Sequence, residues 1–449
     1  MRRLAVFAAV ALLAAGCAPP GAEFAENQPE GKPVSAISTD PAKAGKVTLN
    51  VWDQEVRGGQ NEQFSQLLAE FQKRYPNVTI NRTSKSTDDV RTTLKLALSG
   101  NNPPDVAEVN QGYPDMVAFV KAGMLTPLDN YAQVYGWKKR YPKTLLDLNS
   151  SDRKRFGTGT LYGLSQMGEY VGVFYNKKKL AAAGLEPPKT WQEFTGELEK
   201  LKARGELPIQ FGNLDREAAI HVFGVLANQF AGREALRSLI LGKGRGSWTD
   251  PKIVQAARVL QDWTRRGYLT PNGNGLGYDD SAKQFAAGKG VFMITGTWET
   301  EVLGAPMGNN LGLIPPPPLQ PGAGPATIGG ENFALAISSK SRHPDVSAAL
   351  IDFLTDEHAA KVLTETGNLP AVPGNNAERL PADSPRRAML DGWDRINAGG
   401  GPAPYPDYTT PDFYDTITAA LQELVDGRLS PEQFTAKLQA DADHFRQGR

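Results

Sequence analysis

The sequence predicts an α/β protein arranged in two lobes, and three observations carry that reading. Apolar strands alternate with amphipathic helices from about residue 46 almost to the C-terminus, the pattern of sheets covered by helices. The units are too numerous for one core, which favours two lobes over one giant sheet. Amides, carboxylates and aromatic rings recur beside the strand ends, where open α/β sheets bind ligands.

From the N-terminus, Arg2 and Arg3 precede an apolar run from Leu4 to Ala15, and Ala14, Ala15 and Gly16 lead to Cys17. The run is too short to span a bilayer and reads as a secretory signal over residues 1–16. Cys17 is the only cysteine among 449 residues, so an intramolecular disulfide and Cys-rich metal sites are excluded. Its context is similar to a bacterial lipobox, in which cleavage before the cysteine leaves a thiol that carries diacylglycerol. Ala14 stands where Leu is usual. Cys17 is therefore the expected lipidation site and membrane contact, with the mature chain outside the cytoplasmic membrane. Residues 17–45, rich in Pro, Ala, Gly and polar side chains, are expected to be a flexible tether.

The fold starts at "KVTLNVWDQ", whose alternating Val47, Leu49 and Val51 mark a strand. Phe64, Leu67, Leu68, Phe71 and Tyr75 then share one helical face ending at Pro76. "NVTINRT" predicts a second strand, Val90–Leu98 a helix closed by Gly100, and "PPDVAEV" a third strand. This β-α-β-α-β order implies a largely parallel sheet. "YVGVFYN" is a strand, followed by a helix over Thr190–Arg204 with Glu193 placed to cap it. "KGVFMITG" and "ENFALAIS" are further strands. A helix follows Pro344, and a last one follows Ser430-Pro431 with Gln433 at the capping position.

Hydrophobic residues make up 40% and charged residues 22%, enough for a sizeable core. Lys+Arg and Asp+Glu balance at 49 each, which leaves no basic field for nucleic acid. The four histidines are not spaced as metal ligands, no serine nucleophile elbow occurs, and "LGKGRGS" lacks phosphate-loop spacing. No cofactor is expected. "IPPPPL" reads as a stiff polyproline crossing between lobes.

The strand ends carry the candidate site. Trp52-Asp53-Gln54-Glu55 follows the first strand and Asn110-Gln111-Gly112-Tyr113 the third; Gln166, Glu169 and Tyr170 lead into "VGVFYN". Thr297-Trp298-Glu299 follows "VFMITG", Gly329-Gly330-Glu331-Asn332 precedes "FALAIS", and Tyr405, Tyr408, Phe413 and Tyr414 gather in a Pro-rich stretch. Sugars call for this mixture: planar amides and carboxylates engage paired hydroxyls, and rings stack on apolar C–H faces.

These segments also resemble a known family. "GVFYNKKKLAAAGLEPPKTWQEF", "FAAGKGVFMITGTWET" and "GGENFALAISSKSRHPDVSAALIDFLTDEHAAKVLTETGNLPA" are similar, in order and spacing, to extracellular solute-binding proteins of ABC importers. The resemblance is to the large sugar-binding kind that includes maltose-binding proteins. It implies two α/β lobes around a cleft, joined by a hinge that the chain crosses more than once. Residues 46–165 plus 315–367 would form the N-terminal lobe, and 166–314 plus 368–449 the C-terminal lobe. It implies ligand contacts from Gln54, Asn110 and Gln111 on first-lobe loops, Glu169 beside the hinge, and Asn213 and Arg216 on a second-lobe loop. Trp298 and Tyr414 would stack on the ligand, with Glu331 and Asn332 hydrogen bonding behind a Gly-Gly. The implied partners are a carbohydrate and the membrane permease subunits, with the chain a monomer and no bond chemistry required.

Two other classes compete. A lipid-anchored glycoside hydrolase needs two carboxyls about 5–10 Å apart; Glu299 with Glu301, or Asp279 with Asp280, are the available pairs. A sensor or interaction lipoprotein would use the same aromatics as interface anchors.

Overall fold

The computed structural model describes residues 29–320, 322–372, 374 and 376–448. The expected signal segment, Cys17 and the tether as far as residue 28 lie outside the described residues.

Strand β1 (Val47–Asp53) buries alternate residues and pairs in parallel with β2 (Val78–Ser84) and β3 (Val106–Val109). Helix α1 (Gly58–Arg74) links the first two strands and buries Phe64, Leu67, Leu68 and Phe71 in the same core as Val47, Leu49 and Val51. Each such side chain stabilises the layer by ~1.5–3 kcal/mol. Helix α2 (Thr87–Ser99) opens on Ser86, whose hydroxyl accepts the Asp89 N–H, satisfying an otherwise unpaired donor of the first turn. The short strand β4 (Gly163–Ser165) completes this half before the chain crosses over.

The second layer is built on β5 (Gly168–Asn176). Helix α3 (Trp191–Ala203), capped by Thr190 through the Glu193 N–H, and α4 (Ala218–Ala231) pack on it, placing Phe194, Leu198 and Phe223 with Val171 and Val173. Helix α5 (Tyr278–Ala286) leads to β6 (Phe292–Gly296), and β7 (Leu311–Ile314) and β8 (Gly329–Glu331) follow. Strand β9 (Ala334–Ile337) returns to the first sheet, followed by α6 (Pro344–Leu354). Helices α7 (Phe413–Val425) and α8 (Pro431–Gln447) close the second half. In α8 the Ser430 hydroxyl accepts the Gln433 N–H while the Gln433 side chain accepts the Ser430 N–H, the reciprocal cap expected.

The first sheet has the order β2-β1-β3-β9-β4, and the second is β8-β5-β6 with β7 also on β5. Only the β1–β2 and β1–β3 ladders are parallel; all others in these two sheets are antiparallel. The expectation of a largely parallel sheet therefore holds for the βαβαβ start alone. The later strands of both sheets run against their neighbours, and β9 alone among those after β5 returns from the second layer to the first sheet.

Three passages lie side by side where the lobes join. The Asn332 N–H donates to the Met167 carbonyl at 3.1 Å, Gly168 N–H to the Leu369 carbonyl at 2.9 Å, and Ala371 N–H to the Gln166 carbonyl at 3.1 Å. The second crossing thus falls between β8 and β9, later than the expected residue 315. Pro317, Pro318 and β8 stay with the second layer. The Pro317 carbonyl accepts from Gln229, Pro318 from the Trp191 N–H, and β8 pairs with β5. The polyproline run lies along α3 and α4 instead of crossing, because its carbonyls, with no N–H partners of their own, meet donors there.

Residues 32–45, expected as tether, are fastened to the first lobe. Lys32 pairs with Asp345 at 2.6 Å, the Ser38 N–H donates to the same carboxylate, and Asn77 donates to the carbonyls of Pro41 and Gly45. Asp345 offers acceptors that composition alone does not reveal.

Candidate functional site

A cleft with a cavity of about 130 Å³ lies between the two sheets at the hinge. Six of the ten sequence-derived residues line it: Gln54, Asn110, Glu169, Trp298, Asn332 and Tyr414. Gln54 follows β1 and Asn332 precedes β9, and β3 ends at Val109, just before Asn110. The amides are held rather than free. Glu55 Oε1 accepts from both Gln54 Nε2 and Asn332 Nδ2 at 2.7 Å each, and the Gln54 N–H donates to Glu108 at 2.8 Å. Thr87 donates its hydroxyl to Gln54 Oε1 at 3.0 Å.

Trp298 sits on the short turn that follows β6. A side-chain carbon at Gly296 would lie 2.1 Å from its ring, so the glycine is what makes room for the indole. The indole N–H donates to the Tyr278 hydroxyl at 2.9 Å, and the His221 ring stands edge-on to the indole at 5.2 Å and 61°. Tyr405 and Tyr408, 5.8 Å apart and nearly perpendicular, continue the aromatic wall. Opposite them, the Arg91 guanidinium from α2 lies 3.5 Å above the Tyr414 ring of α7.

The other four residues are not on the cleft wall. Gln111 is buried one step behind: its amide donates to the Asn332 carbonyl at 2.8 Å and its oxygen accepts the Tyr408 hydroxyl at 3.2 Å. Glu331 is buried at the crossing, accepting from Asn149 at 2.7 Å. Asn213 is fully buried, donating to Asn274 at 2.8 Å and accepting the Ala219 N–H at 3.0 Å; it organises its own loop. Arg216 is solvent-exposed with φ 66°, outside the cleft. Short polar side chains after strands serve loops as readily as ligands, and these four are engaged in loops or at the hinge, or exposed.

Sequence reasoning missed Arg57, Gln60, Thr87, Arg91, Glu217 and Asp407, all of which line the cleft. These belong to helix starts and a turn rather than strand ends. His221, dismissed as a metal ligand, also lines it, from the first turn of α4. Among the described residues no group of three or more His, Cys, Asp and Glu could hold a metal.

The electrostatics are dominated by carboxyls that are buried (Glu299, Asp407) or half-buried (Glu169, Glu217). Burial pushes Glu169 up to about 7, opposed by the Tyr405 hydroxyl and assisted by Glu55 and Asp407. Burial likewise raises Glu217 and Glu299 to about 7, with Arg57 pulling each down, and Asp407 to about 6 against Arg91. Desolvation lowers His221 to about 4, so the ring is neutral at ordinary pH. The acid pairs considered for hydrolysis do not face one another across the cleft. Glu301 is clamped by Arg386 through two 2.6 Å bonds, Asp279 meets Arg57 at 3.3 Å, and Asp280 meets Lys283 at 3.0 Å.

Over residues 58–361 the chain matches the family model described as bacterial extracellular solute-binding protein. It is 23% identical over 343 residues to the multiple sugar-binding protein of Streptococcus mutans, spanning 74% of this chain and 77% of that one. It is 20% identical over 435 residues to the melibiose/raffinose/stachyose-binding protein MelE of Bacillus subtilis, spanning 92% and 94%. Among solved structures, a chitin oligosaccharide binding protein superposes with a TM-score of 0.76 at 26% identity, covering 90% of this chain and 100% of that one.

Proposed function

The chain belongs to the bacterial extracellular solute-binding protein family, and from that premise we propose that it is the carbohydrate-capturing component of an ABC importer. The observation that carries this reading is the pairing of walls. Trp298, Tyr405, Tyr408 and Tyr414 present rings from the second lobe towards Gln54, Gln60, Asn110 and Asn332 on the first. A pyranose offers apolar C–H faces to such rings and paired hydroxyls to such amides. The sugar-binding names of the relatives above support the same class.

Capture works by closure. A solute touching both walls favours the arrangement in which they approach, and it shifts the hinge equilibrium by its differential affinity for the closed form. The closed form is what the permease subunits would recognise. The proposed working form is a monomer at the outer face of the cytoplasmic membrane, tethered by lipid on Cys17, which keeps the carrier concentrated near its transporter. In this scheme the N-terminal lobe holds residues 46–165 and the C-terminal lobe begins at 166, with the return crossing at the β8–β9 junction.

Thermal shift against a panel of mono- and oligosaccharides tests the proposal. A binder gains melting temperature and returns the sugar intact. Failure of every sugar to stabilise the protein, or release of reducing ends, would overturn it.

A further inference from the structure

The buried polar atoms left unpartnered around this cleft point to its ligand more narrowly. Gln60 and His221 both line the cleft and are 6% and 7% exposed; Gln60 Oε1 and His221 Nδ1 have no hydrogen-bond partner among the described residues. Behind them Glu299, 1% exposed, has neither carboxyl oxygen partnered. The Gln60 amide oxygen can only accept, the Glu299 oxygens can only accept while that carboxyl is ionised, and the neutral imidazole has an acceptor nitrogen of its own. Such atoms are costly to leave bare in a closed site, so the group that fills it should bring donors.

Charge adds a second, independent constraint. Among the described residues Glu169, Glu217 and Asp407 line the cleft beside two arginines, Arg57 and Arg91, and no lysine does. Arg57 meets Asp279 through one 3.3 Å contact, and the Arg91 guanidinium stands 3.5 Å from the Tyr414 ring centre with its Nε unpartnered among the described residues. The Trp298 N–H is held by Tyr278. Carboxyls thus outnumber cations on the cleft wall by three to two.

We propose that this wall, centred on Gln60, Glu217, His221 and Trp298, receives a protonated amine, so that the cleft takes an amino sugar in preference to its neutral counterpart. The inference rests on the carbohydrate reading above. An ammonium brings three donors and a positive charge to carboxyls that now have only Arg57 and Arg91 to balance them. Its hydroxyl analogue brings one donor and no charge.

The test is calorimetry on the purified protein with matched sets of mono- to tetrasaccharides: the neutral sugar, its 2-amino-2-deoxy form and the N-acetylated form. The free amine should bind at least tenfold more tightly than either partner at low salt. That preference should shrink as sodium chloride is raised, and it should collapse towards unity in Glu217→Gln. Equal or tighter binding of the neutral or N-acetylated form would overturn the proposal while leaving the carbohydrate reading intact. Binding of no sugar at all would sink both. An amine preference indifferent to salt and to both Glu217→Gln and Glu169→Gln would overturn the assignment to this wall.

Discussion

The Trp298 indole N–H donates to the Tyr278 hydroxyl at 2.9 Å, and that hydroxyl is itself hydrogen bonded to Thr295 on β6. The ring most suited to a sugar face is thus a fixed plane rather than a mobile donor. Trp298→Ala should weaken carbohydrate binding by tenfold or more, equivalent to ~1.4 kcal/mol, with the fold intact. Tyr278→Phe keeps the ring but frees it, so a smaller loss of about threefold is expected. Calorimetry alongside a melting curve checks both; unchanged affinity in Trp298→Ala would remove the ring from the site.

Glu55 never reaches the cleft, yet its Oε1 accepts from both Gln54 and Asn332 at 2.7 Å and so aims two amides that do. Glu55→Ala releases both side chains, and a loss of about tenfold in affinity should follow. Glu55→Gln should recover most of it, since an amide carbonyl can accept the same two donors while its N–H₂ faces Glu108. If the glutamine variant is as weak as the alanine variant, the role is charge rather than positioning.

The elements before and after the cleft were largely legible in the sequence, because period-two strands, capped helix starts and Gly-Pro stops are local signals. β1, α1, α3 and α8 fall where Val47, Phe64, Thr190 and Ser430 predict them. Crossings were less legible, since the pairing of β8 with β5 and of β9 with β3 depends on partners more than 150 residues away in sequence. The same limit governs the site. Gln54, Trp298 and Asn332 sit beside strands, whereas Arg91 and Glu217 reach the cleft only because α2 and α4 are aimed at it by tertiary packing. Gln111 and Glu331 carry the right chemistry at strand ends but face the hinge, one layer below the wall.

Arg91 is on α2 beside the first sheet and Tyr414 on α7 in the second half, and their 3.5 Å contact bridges the two. A cation–π contact of this kind contributes ~0.5–2 kcal/mol. Arg91→Ala should therefore move the unliganded protein towards the open form. Small-angle scattering should then give a larger radius of gyration without ligand and a normal one at saturation, and the apparent affinity should fall about twofold to thirtyfold. Identical scattering of variant and parent without ligand would show that the stack does not hold the lobes together.

Protonation offers the last test, and its sign follows from the buried acids. Burial raises Glu169, Glu217 and Glu299 from the ordinary glutamate range to about 7 in the folded chain, and it raises Glu55 as well. A carboxyl with a raised folded pKa contributes most below its unfolded value, and that contribution is lost as pH rises through the folded one. His221 acts the other way: lowered from 6.5 to about 4, it favours the fold more as pH rises between those values. Four carboxyls outweigh one imidazole, so the melting temperature of the unliganded protein should fall as pH is taken from 5.5 to 8. Glu217→Gln, neutral throughout, should flatten that slope. A bound amine would hold Glu169 and Glu217, the two of these that line the cleft, ionised, so the ligand-induced rise in melting temperature should be larger at pH 8 than at pH 5.5. A rise that is larger at pH 5.5 would place the carboxyls outside the ligand's reach.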